Sequence, residues 1–344
     1  MSQRRRMLVV SHTAKQSAIN ATGAVVRALV AHGVTPVMHA QDLVDFADYV
    51  DVSAVAALVE SQADGAENGG VAGQPGAESV HLREIELAIV LGGDGTILRA
   101  AELVRETACP IIGVNLGHVG FLAEMEHSDL QEMVSRVLAG DYAVEQRETL
   151  AVQVFDGANL IYETFAVNEA TLEKTRRMIE IAVGVDGRPV SAFGCDGVVV
   201  STATGSTAYA FSAGGPVVWP DVNAMLLVPL AAHALFSRPL VLGPEQVVEL
   251  QLSSRSECTA ALWSDGRRRF EVLPGQRVVV RQATQPLRMA RLGEGVFTER
   301  LVSKFQLPVR GWRDVVAAAE NDVKIGSERD NCCGETGVEE VRND

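Results

Sequence analysis

At 344 residues, 47% of them hydrophobic, 22% charged and only 5% aromatic, the chain has ample aliphatic material for burial and more length than a single core usually occupies. That excludes a wholly disordered chain and predicts two domains. A formal net charge of -14 argues against a general nucleic-acid binder, because phosphate backbones reward a basic face, so any phosphate this protein handles must be met locally.

Arg4-Arg5-Arg6 is followed by an apolar run over only residues 7–10, too short for the core of a signal peptide. It reads instead as a first strand. Residues 17–32 repeat apolar side chains at helical spacing, Gly33 stops them, and residues 35–38 resume a strand, which is βαβ grammar. A further helical stretch is expected around residues 43–59. Residues 63–78, rich in Gly, Ala, Asp and Asn without periodicity, read as a flexible loop. The pattern then returns as a buried strand at 87–91, a helix at 97–106 whose apolar face is Ile97, Ala100, Ala101 and Val104, and a strand at 111–114.

From about Glu145 the grammar changes to short strands punctuated by Asp156-Gly157, Asp186-Gly187, Asp265-Gly266 and Pro274-Gly275. The expected fold class is therefore α/β plus all-β. A doubly wound α/β domain spans residues 1–144 and a mostly antiparallel β domain spans 145–296. An amphipathic segment at 297–313 is expected to pack back on the first domain, and a disordered acidic tail at 314–344 closes the chain. The longest apolar stretch, at 224–236, is interrupted by Pro229 and His233 and falls short of the ~20 residues of a membrane helix. The five cysteines lack the spacing of a disulfide framework or zinc knuckle, and the seven histidines lack that of a metal site. A cytoplasmic protein with no membrane partner is expected.

The strongest local signal is Gly92-Gly93-Asp94-Gly95-Thr96, between the strand at 87–91 and the helix that follows. Glycines let backbone N–H groups approach an anion, and a helix start adds unsatisfied donors and a positive dipole end. A carboxylate set among such donors would repel a phosphate unless it binds a metal, takes a proton from the nucleophile, or both, and Mg²⁺ would reconcile the charges. The bland alternative is a βα turn with an N-capping Asp or Thr. The loop lacks the Gly-x-x-x-x-Gly-Lys-Ser/Thr spacing of a P-loop, and the chain has no His-Arg-Asp catalytic loop. Arg99, one turn further on, either brings positive charge to the phosphates or lies on a solvated helix face.

Three weaker clusters accompany it. Gly113-Val114-Asn115-Leu116-Gly117-His118-Val119-Gly120-Phe121-Leu122 is a strand followed by a glycine-rich turn. Val167-Asn168-Glu169 sets an amide and a carboxylate at a strand end, where together they can read a base edge and ribose hydroxyls. The run from Asp196 through Val198-Val199-Val200 to Thr204-Gly205-Ser206-Thr207-Ala208-Tyr209-Ala210-Phe211-Ser212 leads a buried strand into a loop of small hydroxyl residues, which suits a ligand bearing hydroxyls and phosphates.

In this order, the Gly-Gly-Asp-Gly-Thr loop, the Asn-Glu pair and the Asp-Gly that leads into Thr-Gly-Ser-Thr-Ala-Tyr resemble the NAD kinase family, over most of the chain from Met7 to Trp312. The resemblance implies an α/β domain and an all-β domain enclosing an NAD site. It also implies phosphoryl transfer from ATP or polyphosphate to the 2′-hydroxyl of the adenosine ribose, a divalent metal, usually Mg²⁺, whose ligands the sequence does not identify, and a homo-oligomer, dimer or tetramer. Carried over by resemblance, Asp94 is the proton acceptor and Gly95 joins it at the dinucleotide. Asn168 and Glu169 hold the adenosine portion, Asp196 a ribose, and Thr207, Ala208, Tyr209, Ala210, Phe211 and Ser212 wrap the dinucleotide. Arg177 matches a ligand-side position, although a surface role explains it equally well. The sequence departs from the family at Ala203, commonly Pro, at Gly194, where some members carry Arg, and at Arg267, where others carry Gln. Two other readings stand beside this one: a lipid kinase of the diacylglycerol or sphingosine type, which shares the glycine loop, and a sensor that binds NAD without catalysis.

Overall fold

The apolar runs of the first half become the strands of one sheet. The computed structural model describes residues 4–59, 79–117, 120–123, 125–126, 130–235, 237–293 and 297–309. The expected loop at 63–78, His118 and Val119 of the glycine-rich turn, and the acidic tail at 314–344 lie outside the described residues. In chain order the elements are β1 (Arg6–Val10), α1 (Gln16–Ala31), β2 (Thr35–His39), α2 (Ala40–Phe46), β3 (Ala56–Val59), β4 (Ser79–His81), β5 (Leu87–Leu91), α3 (Asp94–Val104), β6 (Ile111–Asn115), β7 (Met125–Glu126), α4 (Leu130–Ala139) and β8 (Ala143–Arg147).

The helix expected around residues 43–59 is corrected by the structure. α2 ends at Phe46, and residues 56–59 form β3, paired in parallel with β2. An Asx turn in which the Ser53 N–H donates to Asp51 Oδ1 at 3.0 Å breaks the run. The apolar stretch beyond it is too short to choose between helix and strand until a sheet edge pairs with it.

The second half supplies β9 (Leu150–Asp156), β10 (Asn159–Ala166), β11 (Glu169–Lys174), β12 (Ile179–Val185), β13 (Arg188–Cys195), β14 (Gly197–Thr202), the short helix α5 (Tyr209–Ser212), β15 (Met225–Leu230), β16 (Leu240–Leu242), β17 (Val248–Leu252), β18 (Ala260–Ser264), β19 (Arg268–Val272), β20 (Arg277–Gln282) and β21 (Leu287–Arg291). Helix α6 (Phe297–Phe305) follows, and a second unit of the chain begins within it at Thr298.

The first sheet has the order β4-β3-β2-β1-β5-β6-β21-β8, with β7 added beside β6. Its pairings are parallel except for β21 with β8. Both faces are covered. Met7, Val9, Leu87, Ile89 and Leu91 meet α1, α2 and α4 on one face, whereas Leu8, Val10, Ala88 and Val90 meet Ile97, Leu98 and Ala101 of α3 on the other. This is why β5 reads as an unbroken aliphatic run rather than an alternating one.

The remaining strands form two antiparallel sheets, β10-β9-β20-β17-β12-β13 and β16-β15-β14-β11-β18-β19. Alternate residues of each, such as Val152, Ile181 and Leu250 on one side and Leu172, Val198 and Val200 on the other, share one apolar cluster, so the two sheets form a sandwich. Val199, between Val198 and Val200, points the opposite way and packs with Ala210 of α5. The hydroxyl-rich loop therefore lies over the outer face of the second of these sheets.

Candidate active site

Strand β1 leads into α1 and on to β2, β3 and β4 on one side, while β5 pairs with the other side of β1. The winding of the sheet reverses between β1 and β5, and in open α/β sheets ligands bind at the carboxyl ends of the strands flanking such a reversal. The segment after β5 is Gly92-Gly93-Asp94-Gly95-Thr96, and Asp94 is the first residue of α3, with Gly93 as the extended residue before it. Ser11 ties the two strand ends together by donating its hydroxyl to the Leu91 carbonyl at 3.3 Å. Gly92 leaves room for Thr96, since a β-carbon there would stand 2.9 Å from the Thr96 β-carbon.

The Asp94 carboxylate is held by the glycine-rich turn after β6. Its Oδ2 accepts the Phe121 N–H and its Oδ1 the Leu122 N–H, both at 3.1 Å. One bond to each oxygen fixes the plane of the group and leaves lone pairs for a substrate hydroxyl. Gly120 permits this geometry, because a β-carbon there would lie 3.0 Å from Asp94 Cγ and 3.2 Å from Oδ2. Lys15, at the start of α1, places its Nζ 3.9 Å from where a β-carbon on Gly117 would be, so one ammonium stands over the same end of the sheet.

Arg99 turns elsewhere. Five residues beyond Asp94, it lies about 140° around the helix, and its guanidinium forms an ion pair with the buried Asp42 of α2. Burial pushes the Asp42 carboxyl up, and the Arg99 charge works against that rise.

The turn from β10 to β11 enters the same region from the β-rich half. Val167 is buried in one apolar cluster with Ile97, Leu98, Ala101 and Leu122, which seats Asn168 and Glu169 beside the helix that begins at Asp94. The backbone of this turn is over-determined. Val167 and Asn168 donate their N–H groups to the Asp265 carboxylate at 2.9 and 2.7 Å, while the Asn168 carbonyl accepts the Thr202 N–H at 2.9 Å and the Ser201 hydroxyl at 3.0 Å. Asp265 and Gly266 reach these positions with φ of 55° and 64°, the left-handed backbone of a tight hairpin turn.

Gly205 has no freedom to become larger, because its β-carbon would stand 2.5 Å from the Asn168 carbonyl carbon and 2.5 Å from Ser201 Oγ. Backbone cannot yield as a flexible side chain does. Gly205→Ala is expected to cost about 1–3 kcal/mol, the usual range for overpacking, read as a lower thermal midpoint. An unchanged midpoint would show that the turn is looser than these contacts require.

Glu169 is buried, accepts the Tyr209 N–H at its carboxyl, and leaves Oε2 without a hydrogen-bond partner among the described residues. Burial first, and the Asp265 charge second, push the Glu169 carboxyl up to about 8. Burial also raises Asp265, but two backbone N–H donors and Arg268 at 2.7 Å hold its charge, so Glu169 is the member of the pair that keeps a proton near neutrality. A protonated carboxyl donates as well as accepts. From the ordinary value of 4.5 up to about 8 the folded protein holds a proton that the unfolded chain has lost. The associated stability is complete below the lower value and disappears as pH rises through the upper one. The thermal midpoint of the unliganded protein is therefore expected to fall across this window more steeply than that of Glu169→Gln, and parallel curves would contradict the assignment.

Tyr209 brings the last motif in. Its hydroxyl is pushed up by burial and by the charges of Glu173, Glu169 and Asp196. Asp196 itself stands just before β14, at the end of the β11–β14 pairing where Gly197 faces Glu173, whereas Glu169 faces Ser201 at the other end. Asp196 also pairs with Lys174 at 2.6 Å. Thr207 and Ala208 are half-buried, Ala210 is buried, and Tyr209, Phe211 and Ser212 are exposed over the sheet. Arg177 stands 79% exposed at the β11–β12 turn, paired with Glu257 at 3.2 Å.

Comparison with known proteins places both halves of the chain in one family. Residues 7–142 match the model of the ATP-NAD kinase N-terminal domain, and residues 167–292 match that of the ATP-NAD kinase C-terminal domain. The chain belongs to the NAD kinase family. A relative named NAD kinase from Leifsonia xyli subsp. xyli is 52% identical over 316 residues, covering 91% of this chain and 98% of the relative. One from Thermobifida fusca is 46% identical over 324 residues, covering 92% and 94%. Among solved structures, yeast NADH kinase complexed with NADH has the same fold, with a TM-score of 0.75 at 19% identity over 90% of each chain. An NAD kinase from Archaeoglobus fulgidus in complex with ATP aligns with a TM-score of 0.61 at 23% identity, covering 88% of this chain and 98% of that one.

Within this family fold, three groups to which sequence reasoning gave no part in the site contribute to its geometry: Lys15, Gly120 and Asp265. Gly120, within the glycine-rich turn, and Asp265-Gly266 left signals in the sequence, and both read there simply as turns. The partners of Lys15 and Gly120 are set by strand pairing, which no local pattern reveals. Among the described residues there is no cluster of three or more His, Cys, Asp or Glu side chains able to hold a metal, and no helix long and apolar enough to cross a membrane.

Proposed function

We infer that this chain phosphorylates NAD to NADP, with ATP as phosphoryl donor and Asp94 as proton acceptor. The observation that carries this reading is the convergence of a fixed carboxylate at the mouth of the sheet with the Asn168–Glu169 turn, both resting on one apolar cluster. The donor's phosphates would lie over the crevice between the β1–α1 turn and Gly92-Gly93-Asp94-Gly95-Thr96, with the N–H groups at the start of α3 and the Lys15 ammonium supplying positive charge. Asn168 and protonated Glu169 would read the adenosine portion, Asp196 would take a ribose hydroxyl, and residues 207–212 would cover the dinucleotide.

In the transfer, the ribose 2′-oxygen forms its bond to the γ-phosphorus as the bond from that phosphorus to the bridging oxygen of ADP breaks. ADP leaves with that electron pair, and the hydroxyl proton passes to a free lone pair of the Asp94 carboxylate. Such transfers need little covalent help from the protein, so orientation and charge stabilisation dominate. The donor set also fits Mg²⁺, which is commonly held by one or two carboxylates plus substrate phosphates and water. Asp94 would be its protein ligand, and the ion would neutralise phosphate charge. Polyphosphate as an alternative donor, a cytoplasmic location and a homo-oligomer belong to the same proposal.

The test is to incubate the purified protein with NAD, ATP and Mg²⁺, following NADP with a dehydrogenase that accepts only the phosphorylated cofactor. NADP should accumulate with ATP and not in its absence, and parallel reactions with polyphosphate and with diacylglycerol define donor and acceptor. Labelled phosphate found in the lipid and none in NADP would overturn the reading.

A further inference from the structure

Glu102 lies on α3, eight residues beyond Asp94, which is about 12 Å along the helix axis. Its carboxylate accepts Arg267 Nε at 2.9 Å and Arg267 Nη2 at 3.1 Å, and stands 3.5 Å from Arg268 Nε. Arg268 in turn donates Nη2 to Asp265 at 2.7 Å, and Asp265 holds the backbone N–H groups of Val167 and Asn168. The guanidinium groups of Arg105 and Arg268 also stack on the Phe165 ring, 4.4 and 4.1 Å from its centre. A series of contacts thus runs from the helix that carries Asp94 to the turn that carries Asn168 and Glu169, hydrogen-bonded at Glu102–Arg267 and at Arg268–Asp265 and joined by charge attraction between Glu102 and Arg268.

We propose that Glu102 is a positioning residue which, through Arg267, Arg268 and Asp265, fixes the spacing between Asp94 and the Asn168–Glu169 turn. The proposal rests on the NAD kinase reading given above. The apolar cluster shared by α3 and Val167 holds the two parts together, but apolar contact is non-directional and tolerates sliding. The paired N–H···O bonds of an arginine fork on a carboxylate do not. Glu102 also separates positive charges. Arg105 is held below its ordinary value by burial and then by the neighbouring Arg268 charge, which Glu106 and Glu163 oppose, and removing the Glu102 carboxylate leaves Arg267 without its fork partner and Arg268 with Asp265 as its paired carboxylate. Arg268 would then shift, and Asp265 with the turn it holds would follow.

The variant Glu102→Gln keeps the side-chain shape and removes the charge. A misplacement of about 1 Å at a reacting centre is enough for a ~10²-fold loss. The expected result is a fall of about 10- to 100-fold in kcat/KM for NAD, with KM for ATP within about twofold of wild type. The Arg5–Glu86 pair provides the comparison, being a similar fork at 2.8 and 2.7 Å that joins other elements. Glu86→Gln should lower the thermal midpoint by a similar amount while leaving the kinetic constants unchanged. Arg267→Gln, at a partly exposed arm of the network, provides a milder variant if Glu102→Gln does not fold, with an expected rise in KM for NAD of about three- to tenfold and an unchanged KM for ATP. Wild-type constants for NAD in the folded variants would overturn the proposal, as would an equal kinetic loss in Glu86→Gln. Wild-type turnover in the same assay separates this failure from that of the function reading: without it both fall together, and with it only the positioning role is at stake.

Discussion

Asp94→Asn is expected to retain the fold and bind NAD while turnover falls roughly 10²–10⁴-fold, the range typical of losing a general acid–base group. The amide is nearly isosteric with the carboxylate, so α3 keeps its first turn and the apolar face of Ile97, Leu98 and Ala101 stays buried. One of the two N–H groups of Phe121 and Leu122 would face an amide nitrogen instead of an oxygen, a loss of about 1 kcal/mol. That small cost is the reason to measure the thermal midpoint and NAD affinity of the variant beside its rate. Near-normal turnover would remove Asp94 from the proton-accepting role, and loss of NAD affinity in step with the rate would make it a binding residue.

Gly120→Ala should cost about 10²-fold in kcat although it touches no substrate. The added β-carbon would lie 3.0 Å from Asp94 Cγ and 3.2 Å from Oδ2, and the softest response is for the carboxylate to rotate away. Rotation relieves the clash cheaply, so the fold survives, but it breaks the bonds from Phe121 and Leu122 that aim the group. A folded protein with a modestly lowered thermal midpoint and a large rate deficit is the expected outcome, checked by thermal melting and steady-state rates. Full activity would show that the carboxylate has another orientation that serves equally well.

What the sequence made legible was whatever is written in local pattern. The unbroken aliphatic run of β5 announced a strand buried on both faces, and the glycines with Asp94 after it announced a βα turn built for an anion. The change to short strands and Asp-Gly turns announced a mostly antiparallel β half, though not its division into two packed sheets, and the hydroxyl-rich run after Val200 announced the loop that packs Ala210 on Val199. Three things were hidden because they depend on partners distant in the chain. Residues 56–59 become a strand only because the edge of β2 is there to pair with them. Arg99 has the spacing of a phosphate contact, yet Asp42, 57 positions earlier, claims its charge. Leu287–Arg291 follows the strands of the sandwich in sequence but inserts between β6 and β8 of the first sheet.

The site shows the same division. Asp94, Asn168, Glu169 and Asp196 were recognisable as residue types in a family order, whereas the reason the first three meet was not. That reason is a shared apolar cluster around Val167, a glycine at 120 that makes room for a carboxylate, and a hairpin aspartate that takes up two backbone N–H groups. These are contacts between elements from both halves, and spacing along the chain carries no trace of them.

A structure of the protein with NAD bound would test the central claim most directly. The account predicts that the 2′-oxygen of the adenosine ribose sits within about 2.6–3.2 Å of an Asp94 carboxylate oxygen, with the adenine against Asn168 and Glu169. NAD bound with that ribose turned away from Asp94, or with its nicotinamide end occupying the place of the adenosine, would contradict it.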